Sequence, residues 1–407
     1  MAPRPKVPFD LHPAARLRSN LDIAHGGEVA LAPDGATAAI LHGPWSRQQL
    51  DFVSLADGAT AVAMPAADRR PLQHVTWSAD GQQWAVAELV WEEQERRGVI
   101  HVGPRDLTTD PLRARVSEYG AVTRNAQARA ASTLAFSRDG SGLVVRVCGS
   151  GERSALMHIA LPDGAVREQW FEPLDVDQYA HAFGDDGTLY VLCADPGLIA
   201  GLSWFEPGAE APSGHLRWPF GLALAPAPRG MWVAGAPRYG FRVGPGPAVS
   251  LASAGDARQR RAASLRARAR TRWDQDFLDG LIARVASDGH DHNDRSARHT
   301  HSQSVPPPPT VGMRSFEHEL LWETSLAARI GHDDLAITDG VAVFLWRDAG
   351  PEIVRTLLAD DPQCCTYRAP RIIGLSAAGD TLALLWKKDA RGTKTVLSLF
   401  DLDRAAL

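Results

Sequence analysis

The stretch QHVTWSADGQQWAVAE, residues 73–88, decides how the chain is read. An apolar run ends on Trp77, a turn carries Asp80-Gly81, and a second apolar run starts at Trp84. Asp-Gly suits a tight strand–turn–strand unit because Gly, and to a lesser degree Asp, accepts positive φ. The same pattern recurs as GGEVALAPDGATAAIL at 26–41 and as STLAFSRDGSGLVVRV at 132–147.

Carried outward, the frame picks up YAHAFGDDGTLYVLC, FGLALAPAPRGMWVAG, DDLAITDGVAVFLW and IIGLSAAGDTLALLW. Leu31, Trp77, Phe136, Phe183, Leu224, Ile337 and Leu375 then align as the last large apolar residue before each turn. The position before them is small throughout: Ala30, Thr76, Ala135, Ala182, Ala223, Ala336 and Gly374. The position before that is apolar except at His181, which reads as a core histidine bonded to backbone. Side chains alternate across a strand, so the small column faces one side and the large columns the other.

The anchors are spaced 46, 59, 47, 41, 113 and 38 residues apart. Four-stranded propeller blades run about 40–45 residues, so the spacing predicts an all-β, seven-bladed β-propeller in one domain. Small residues near the axis let neighbouring blades converge. The last blade shows three strands, at 371–376, 381–386 and 394–400. The expectation is that Ala15–Ile23 supplies its missing outer strand and closes the ring, removing an open edge. An eighth, degenerate blade around Phe316–Thr324 stays open as an alternative.

With the Ser78-Ala79-Asp80-Gly81 and Ser137-Arg138-Asp139-Gly140 turns between apolar strands, the chain resembles WD-repeat and YVTN-type bacterial β-propellers. The likeness covers all but one insertion. No Gly-His opening or Trp-Asp ending recurs in register, so the subfamily stays open. Such propellers include scaffolds, lactonases, peptidase gates and dehydrogenases, and the resemblance therefore implies fold rather than activity.

The 113-residue gap exceeds the first spacing by 67 residues and divides the chain. Residues 1–253 are expected to hold blades one to five with the closing strand, 254–315 an insertion, and 316–407 blades six and seven. Between Gly255 and Arg272 stand seven arginines against one acid, Asp256. Trp273, Phe277, Leu281 and Val285 follow at intervals of four, which predicts an amphipathic helix over roughly 256–287. The tract HDHNDRSARHTHSQSVPPPP has no apolar period and reads as disordered. Candidate partner-binding residues are Arg258, Arg261, Arg266, Arg270, Trp273, Phe277 and Leu281. The stripe can dock on the propeller itself, receive a protein partner, or bring its arginines to phosphates in nucleic acid or lipid.

Composition bounds the remaining classes. Hydrophobic residues make up 44% and the net charge is −5, which argues against wholesale nucleic-acid or membrane binding. No run of about 18 apolar residues occurs, so no membrane-spanning helix is expected. Cys148, Cys193, Cys364 and Cys365 form no C-x-x-C pair and read as reduced thiols of a cytoplasmic protein. There is no G-x-S-x-G elbow, phosphate loop, H-E-x-x-H or EF-hand loop.

Three positions before each anchor stand Glu28, His74, Thr133, Ala180, Gly221, Asp334 and Ile372. Glu28, His74 and Asp334, with Asp333, are the candidate ligands for a divalent ion in a central funnel. Ordinary polar residues at a wet strand entrance are the alternative, since four of the seven positions offer no carboxylate or imidazole. The leading reading is a non-catalytic scaffold that binds another protein and needs no cofactor. A metal-dependent propeller hydrolase or lactonase, and a phosphate or nucleic-acid binder, are the alternatives.

Overall fold

The computed structural model describes residues 7, 9–92, 95–116, 134–148, 154–161, 163–169, 177–194, 200–209, 212–218, 223–226, 230–235, 239–243, 326–331, 334–338, 343–347, 354–360, 371–388 and 394–406. The insertion at 254–315 and the segment Phe316–Thr324 lie outside the described residues.

β1 (Phe9–Leu11) and β2 (Ala15–Ala24) stand first in the chain but join sheets made mainly of its last strands. The other sheets follow chain order as antiparallel meanders. The first is β3 (Glu28–Leu31), β4 (Thr37–His42), β5 (Gln49–Ser54) and β6 (Thr60–Met64). The second is β7 (Leu72–Trp77), β8 (Gln83–Glu92), β9 (Glu95–Pro104) and β10 (Leu112–Val116). The third is β11 (Leu134–Phe136), β12 (Gly142–Cys148), β13 (Ser154–Ala160) and β14 (Val166–Gln169). The fourth is β15 (Asp177–Phe183), β16 (Leu189–Ala194), β17 (Ala200–Phe205) and β18 (Gly214–Trp218).

Among the described residues the fifth sheet holds β19 (Ala223–Pro226), β20 (Met231–Gly235) and β21 (Tyr239–Val243). The sixth runs β22 (Leu326–Ile330), β23 (Asp334–Thr338), β24 (Val343–Arg347) and β25 (Val354–Asp360), with β1 added beside β25. The seventh runs β26 (Arg371–Ala378), β27 (Thr381–Lys387) and β28 (Lys394–Leu402), with β2 beside β28. As the sequence led us to expect, the N-terminal segment completes the last sheet: Ala15 faces Leu402 and Ala24 faces Lys394.

Turn chemistry explains why the first hairpins form. The Ser78 hydroxyl donates to Asp80 Oδ1 at 2.6 Å and accepts the Gln83 amide at 2.9 Å, while Asp80 accepts the Gln82 amide at 3.0 Å. Ser137 and Asp139 repeat that network on the amides of Gly142 and Ser141. The Ser137 hydroxyl, then the Ser141 amide and hydroxyl, hold the Asp139 carboxyl down at about 2. Gly81 and Gly140 sit at φ 68° and 72°, where a side chain would be strained.

The core is not one ball but a series of layers between sheets. Leu41 and Phe52 of the first sheet pack with Leu72 and Val86 of the second. Ile100 and Val102 meet Leu134 and Leu143, and Val144 and Leu156 meet Leu189 and Val191. Leu326 and Leu345 of the sixth sheet join Leu382 and Phe400 of the seventh. Leu385 and Leu397 of the seventh then pack with Leu31 and Ile40 of the first. Each fully buried Leu, Ile or Phe contributes roughly 1.5–3 kcal/mol.

First strands touch in succession: β3 on β7, β7 on β11, β11 on β15, β15 on β19, β19 on β22, β22 on β26, and β26 on β3. Small residues permit this approach. A Cβ added at Gly374 of β26 would stand 3.0 Å from Leu385 and 3.1 Å from Val29 of β3.

In the sixth sheet the sequence frame is displaced by one strand. Ile337 lies on β23, the second strand, and the strand that touches β19 and β26 is β22. The sequence LAARIGHDDLAIT lacks the Asp-Gly turn after its first strand, so the frame locked onto the Asp339-Gly340 pair that follows the second.

Candidate functional site

The sheets expose two rims. One carries the hairpin turns between first and second strands. Gly331, after β22, donates its amide to Gly379 O at 2.8 Å. A Cβ on Gly35, in the β3–β4 turn, would meet Ala378 O at 3.5 Å, so the turns of the sixth, seventh and first sheets are neighbours. This rim is laced by ion pairs: Arg105 reaches Asp34 at 2.5 Å, and Asp185 takes Arg138 at 2.7 Å and Arg329 at 2.8 Å.

The opposite rim holds the beginnings of β3 and β7. Here the connection between β4 and β5 lies against the connection between β6 and β7. Arg47 and Arg70 form a parallel bridge, Gln48 donates its amide to Arg70 O at 3.4 Å, and Arg70 donates to Ser46 O at 3.1 Å. The buried Gln48 side chain accepts the Leu72 amide at 2.9 Å. These bonds stitch the first sheet to the second.

Backbone strain concentrates at this junction. Of the four non-glycine residues with positive φ among those described, His25 (52°), Arg69 (55°) and His74 (56°) are here. Such conformations cost on the order of 1–2 kcal/mol each and persist only where the surroundings enforce them. His74 sits inside the register shift between Gln73 and Thr76. Gly43, at φ 101°, leaves no room for a side chain, since a Cβ would stand 2.6 Å from Arg47 O.

Beneath the rim lies a charged layer. His42 Nε2 bonds Asp51 Oδ2 at 2.7 Å, and Gln49 donates to Asp51 Oδ1 at 2.6 Å. Burial works hardest against the Asp51 charge, but the His42 and Gln49 hydrogen bonds outweigh it and hold the carboxyl below its ordinary value. Glu88 bonds His101 Nε2 and stands 3.2 Å from Arg70 Nε. Burial again opposes ionisation most, yet the His101 bond with the charges of His101, Arg70 and Arg113 lowers the Glu88 pKa. Both carboxylates therefore stay charged, and their partners are engaged in holding strands together.

Of the candidate metal ligands, the structure brings two together. Glu28 accepts the Val75 amide at 3.3 Å, and His74 Nδ1 stands 3.7 Å from Glu28 Oε1. Asp334 opens β23 opposite Ile330, beside the Gly331 turn, so it lies at the hairpin rim and away from Glu28 and His74. Among the described residues no group of three His, Cys, Asp or Glu side chains is placed to hold a metal ion. Arg258, Arg261, Arg266, Arg270, Trp273, Phe277 and Leu281 lie outside the described residues. His181 is 1% exposed and bonds Val144 O at 2.9 Å through Nε2, the backbone-bonded core histidine expected of it.

What this rim turns outward was not singled out by the sequence. Trp45 is 39% exposed, and Arg47, its guanidinium 3.6 Å from Asp68, is exposed on the same loop. Arg69 is exposed on the adjoining connection. The available signal was Gly43-Pro44-Trp45, a turn sequence with a tryptophan between two predicted strands. An exposed Trp beside guanidinium groups on an enforced backbone is the composition found at protein-binding hot spots. No helix among the described residues is long and apolar enough to cross a membrane.

No family model matches the chain, and no curated protein matches it. Solved structures do. The β-propeller domain of Myceliophteria thermophila Cps50 (Swd1) superposes with a TM-score of 0.58 at 8% identity, over 96% of this chain and 100% of that one. A chain of a mitotic checkpoint complex gives 0.54 at 10% identity, over 99% and 96%. Virginiamycin B lyase from Staphylococcus aureus gives 0.51 at 10% identity, over 95% and 99%. A lyase and a member of a protein complex thus share the architecture, and at these identities the likeness speaks for fold alone. The meandering sheets, the layered core and these superpositions together identify the chain as having the fold of a WD-repeat-like β-propeller.

Proposed function

We propose that the chain is a seven-bladed propeller, closed by its own N-terminal strand, that acts as a non-catalytic scaffold for another protein. The round of contacts among the first strands supports the closed ring. The partner binds at the rim where β3 and β7 begin, and the insertion at 254–315 provides a second contact. One observation carries this reading: Trp45, Arg47 and Arg69 are displayed together on two connections that strained residues and backbone bonds fix in place. A pre-set loop loses little entropy on binding, which favours recognition.

The test is affinity capture from native lysate with three baits: the full chain, a chain lacking 255–312, and a Trp45→Ala/Arg47→Ala variant. Loss of one partner with the double variant, at unchanged thermal stability, supports the rim as the recognition surface. Loss only on deletion moves the contact to the insertion. Retention by all three baits, or capture of nothing, contradicts the reading.

A further inference from the structure

We propose that β6 is a dimerisation edge, pairing antiparallel with the β6 of a second copy of the chain. Among the described residues, the strands outermost in the other sheets each have a charged residue in their sequence: Asp10 on β1, Arg16 and Asp22 on β2, Arg113 on β10, Arg167 on β14, Arg217 on β18 and Arg242 on β21. Such charges keep sheet edges from pairing with one another. β6, Thr60-Ala61-Val62-Ala63-Met64, has none and no proline. It is outermost in its sheet, and among the described residues no strand lies on its far side. Its first three residues are exposed, and Val62, 51% exposed, is the most exposed of the large hydrophobic residues described.

The fold already covers two neighbouring edges by strand addition. β1 lies along β25, with buried Phe9 set edge-on against Trp386 at 5.7 Å, and β2 lies along β28. Going round in contact order, the next edge is β6, and no described strand covers it.

A second copy suits this edge for two reasons. An uncharged strand of β-branched and small residues is what β6 can accept without burying a charge, and β6 itself is such a strand. Its ends are also complementary. Asp57 precedes the strand and is exposed, whereas exposed Arg69 follows it with Arg47 and Asp68 alongside. Antiparallel pairing sets the acidic start of one copy beside the basic end of the other, and the contact is isologous and self-closing. Arg47 and Arg69 also stand on the rim of the proposed function, but the dimer rests on the edge of β6, and its readouts, the oligomeric state and Val62→Lys, differ from those of the rim test.

Sedimentation equilibrium of the full chain up to about 100 µM tests it, a concentration at which a modest interface associates. The expected result is a dimer whose dissociation constant rises at least ~10-fold in Val62→Lys, because two lysines then face one another. Val62 is exposed, so the melting temperature of the monomer stays put. Leu21→Lys on β2, the other exposed large apolar residue described on an outer strand, leaves the dimer intact. The amides of β6 that point away from β5 exchange slowly in the dimer and quickly in Val62→Lys. A chain that stays monomeric throughout, a dimer indifferent to Val62→Lys, or a monomer in which those outward amides are protected by some other segment would each overturn the proposal.

Discussion

Glu88 on β8 and His101 on β9 are joined across a diagonal of the second sheet: Glu88 faces Val99, and His101 stands two residues further along β9. The first sheet uses the same diagonal with the partners exchanged. His42 faces Gln49, and its bond goes to Asp51, two residues on. The seventh sheet repeats the geometry with neutral groups, where Trp386 faces Val396 and donates to Ser398 at 2.8 Å. Three sheets thus place one polar cross-strand tie at a common site between their second and third strands.

Removing the charge from that tie is expected to weaken the fold in a pH-dependent way. The folded-state pKa of Glu88 is lowered from 4.5, so its contribution is present above that value and is lost as pH falls through the folded pKa. Glu88→Gln leaves Arg70 without its counter-charge and His101 without its carboxylate partner, and should cost about 3 kcal/mol near neutrality. Chemical denaturation of both proteins from pH 7 to pH 3 checks this. The gap should stay constant above about pH 4.5 and narrow below it.

Two glycines separate steric from conformational cost. Gly140 has φ 72° and open space around it, so Gly140→Ala should cost only about 1 kcal/mol, for the left-handed backbone. A Cβ at Gly103 would stand 2.6 Å from the Trp84 ring, which is 1% exposed and donates its indole N–H to Pro104 O at 2.9 Å. Gly103→Ala must displace that ring and should cost about 2–3 kcal/mol. Tryptophan emission, shifted to the red in Gly103→Ala and unchanged in Gly140→Ala, is the accompanying readout.

Gly331 and Arg404 are expected to be energetically coupled. Arg404, in the terminal turn Arg404–Ala406, lies where a Gly331 side chain would be and bonds Asp380. Gly331→Ala alone should destabilise by clash and by its φ of 54°. In the Arg404→Ala background the clash is gone, so the double variant should be more stable than additivity predicts by about 1 kcal/mol or more. Additive effects would detach the C-terminal turn from the sixth sheet.

Periodicity was legible where turn chemistry announced it. Asp34-Gly35, Asp80-Gly81 and Asp139-Gly140 mark true first hairpins, and alternation around them located β3, β4, β7, β8, β11 and β12. The sixth unit misled because Gly331 makes its turn without aspartate before it, while Asp339-Gly340 follows the wrong strand for the frame. That slip also put Asp334 in one funnel with Glu28 and His74, although a shift of one strand carries a residue to the opposite rim. β1 escaped notice because a strand of three residues has no period to read. Trp45 and Arg69 were hidden for another reason: loops carry no repeat, and their proximity depends on a bridge between residues 47 and 70.

β2 pairs with β28 along the seventh sheet, the pairing on which the proposed closed ring depends, and a cysteine pair tests it directly. Ala24 and Lys394 are exposed cross-strand partners, so Ala24→Cys/Lys394→Cys should form a disulfide within one chain under mild oxidation, mapped by mass spectrometry. A link between such distant residues constrains the unfolded chain strongly and should raise the melting temperature by several degrees. Failure to form the bond, or its formation only between chains, would contradict a ring closed by the N-terminal strand.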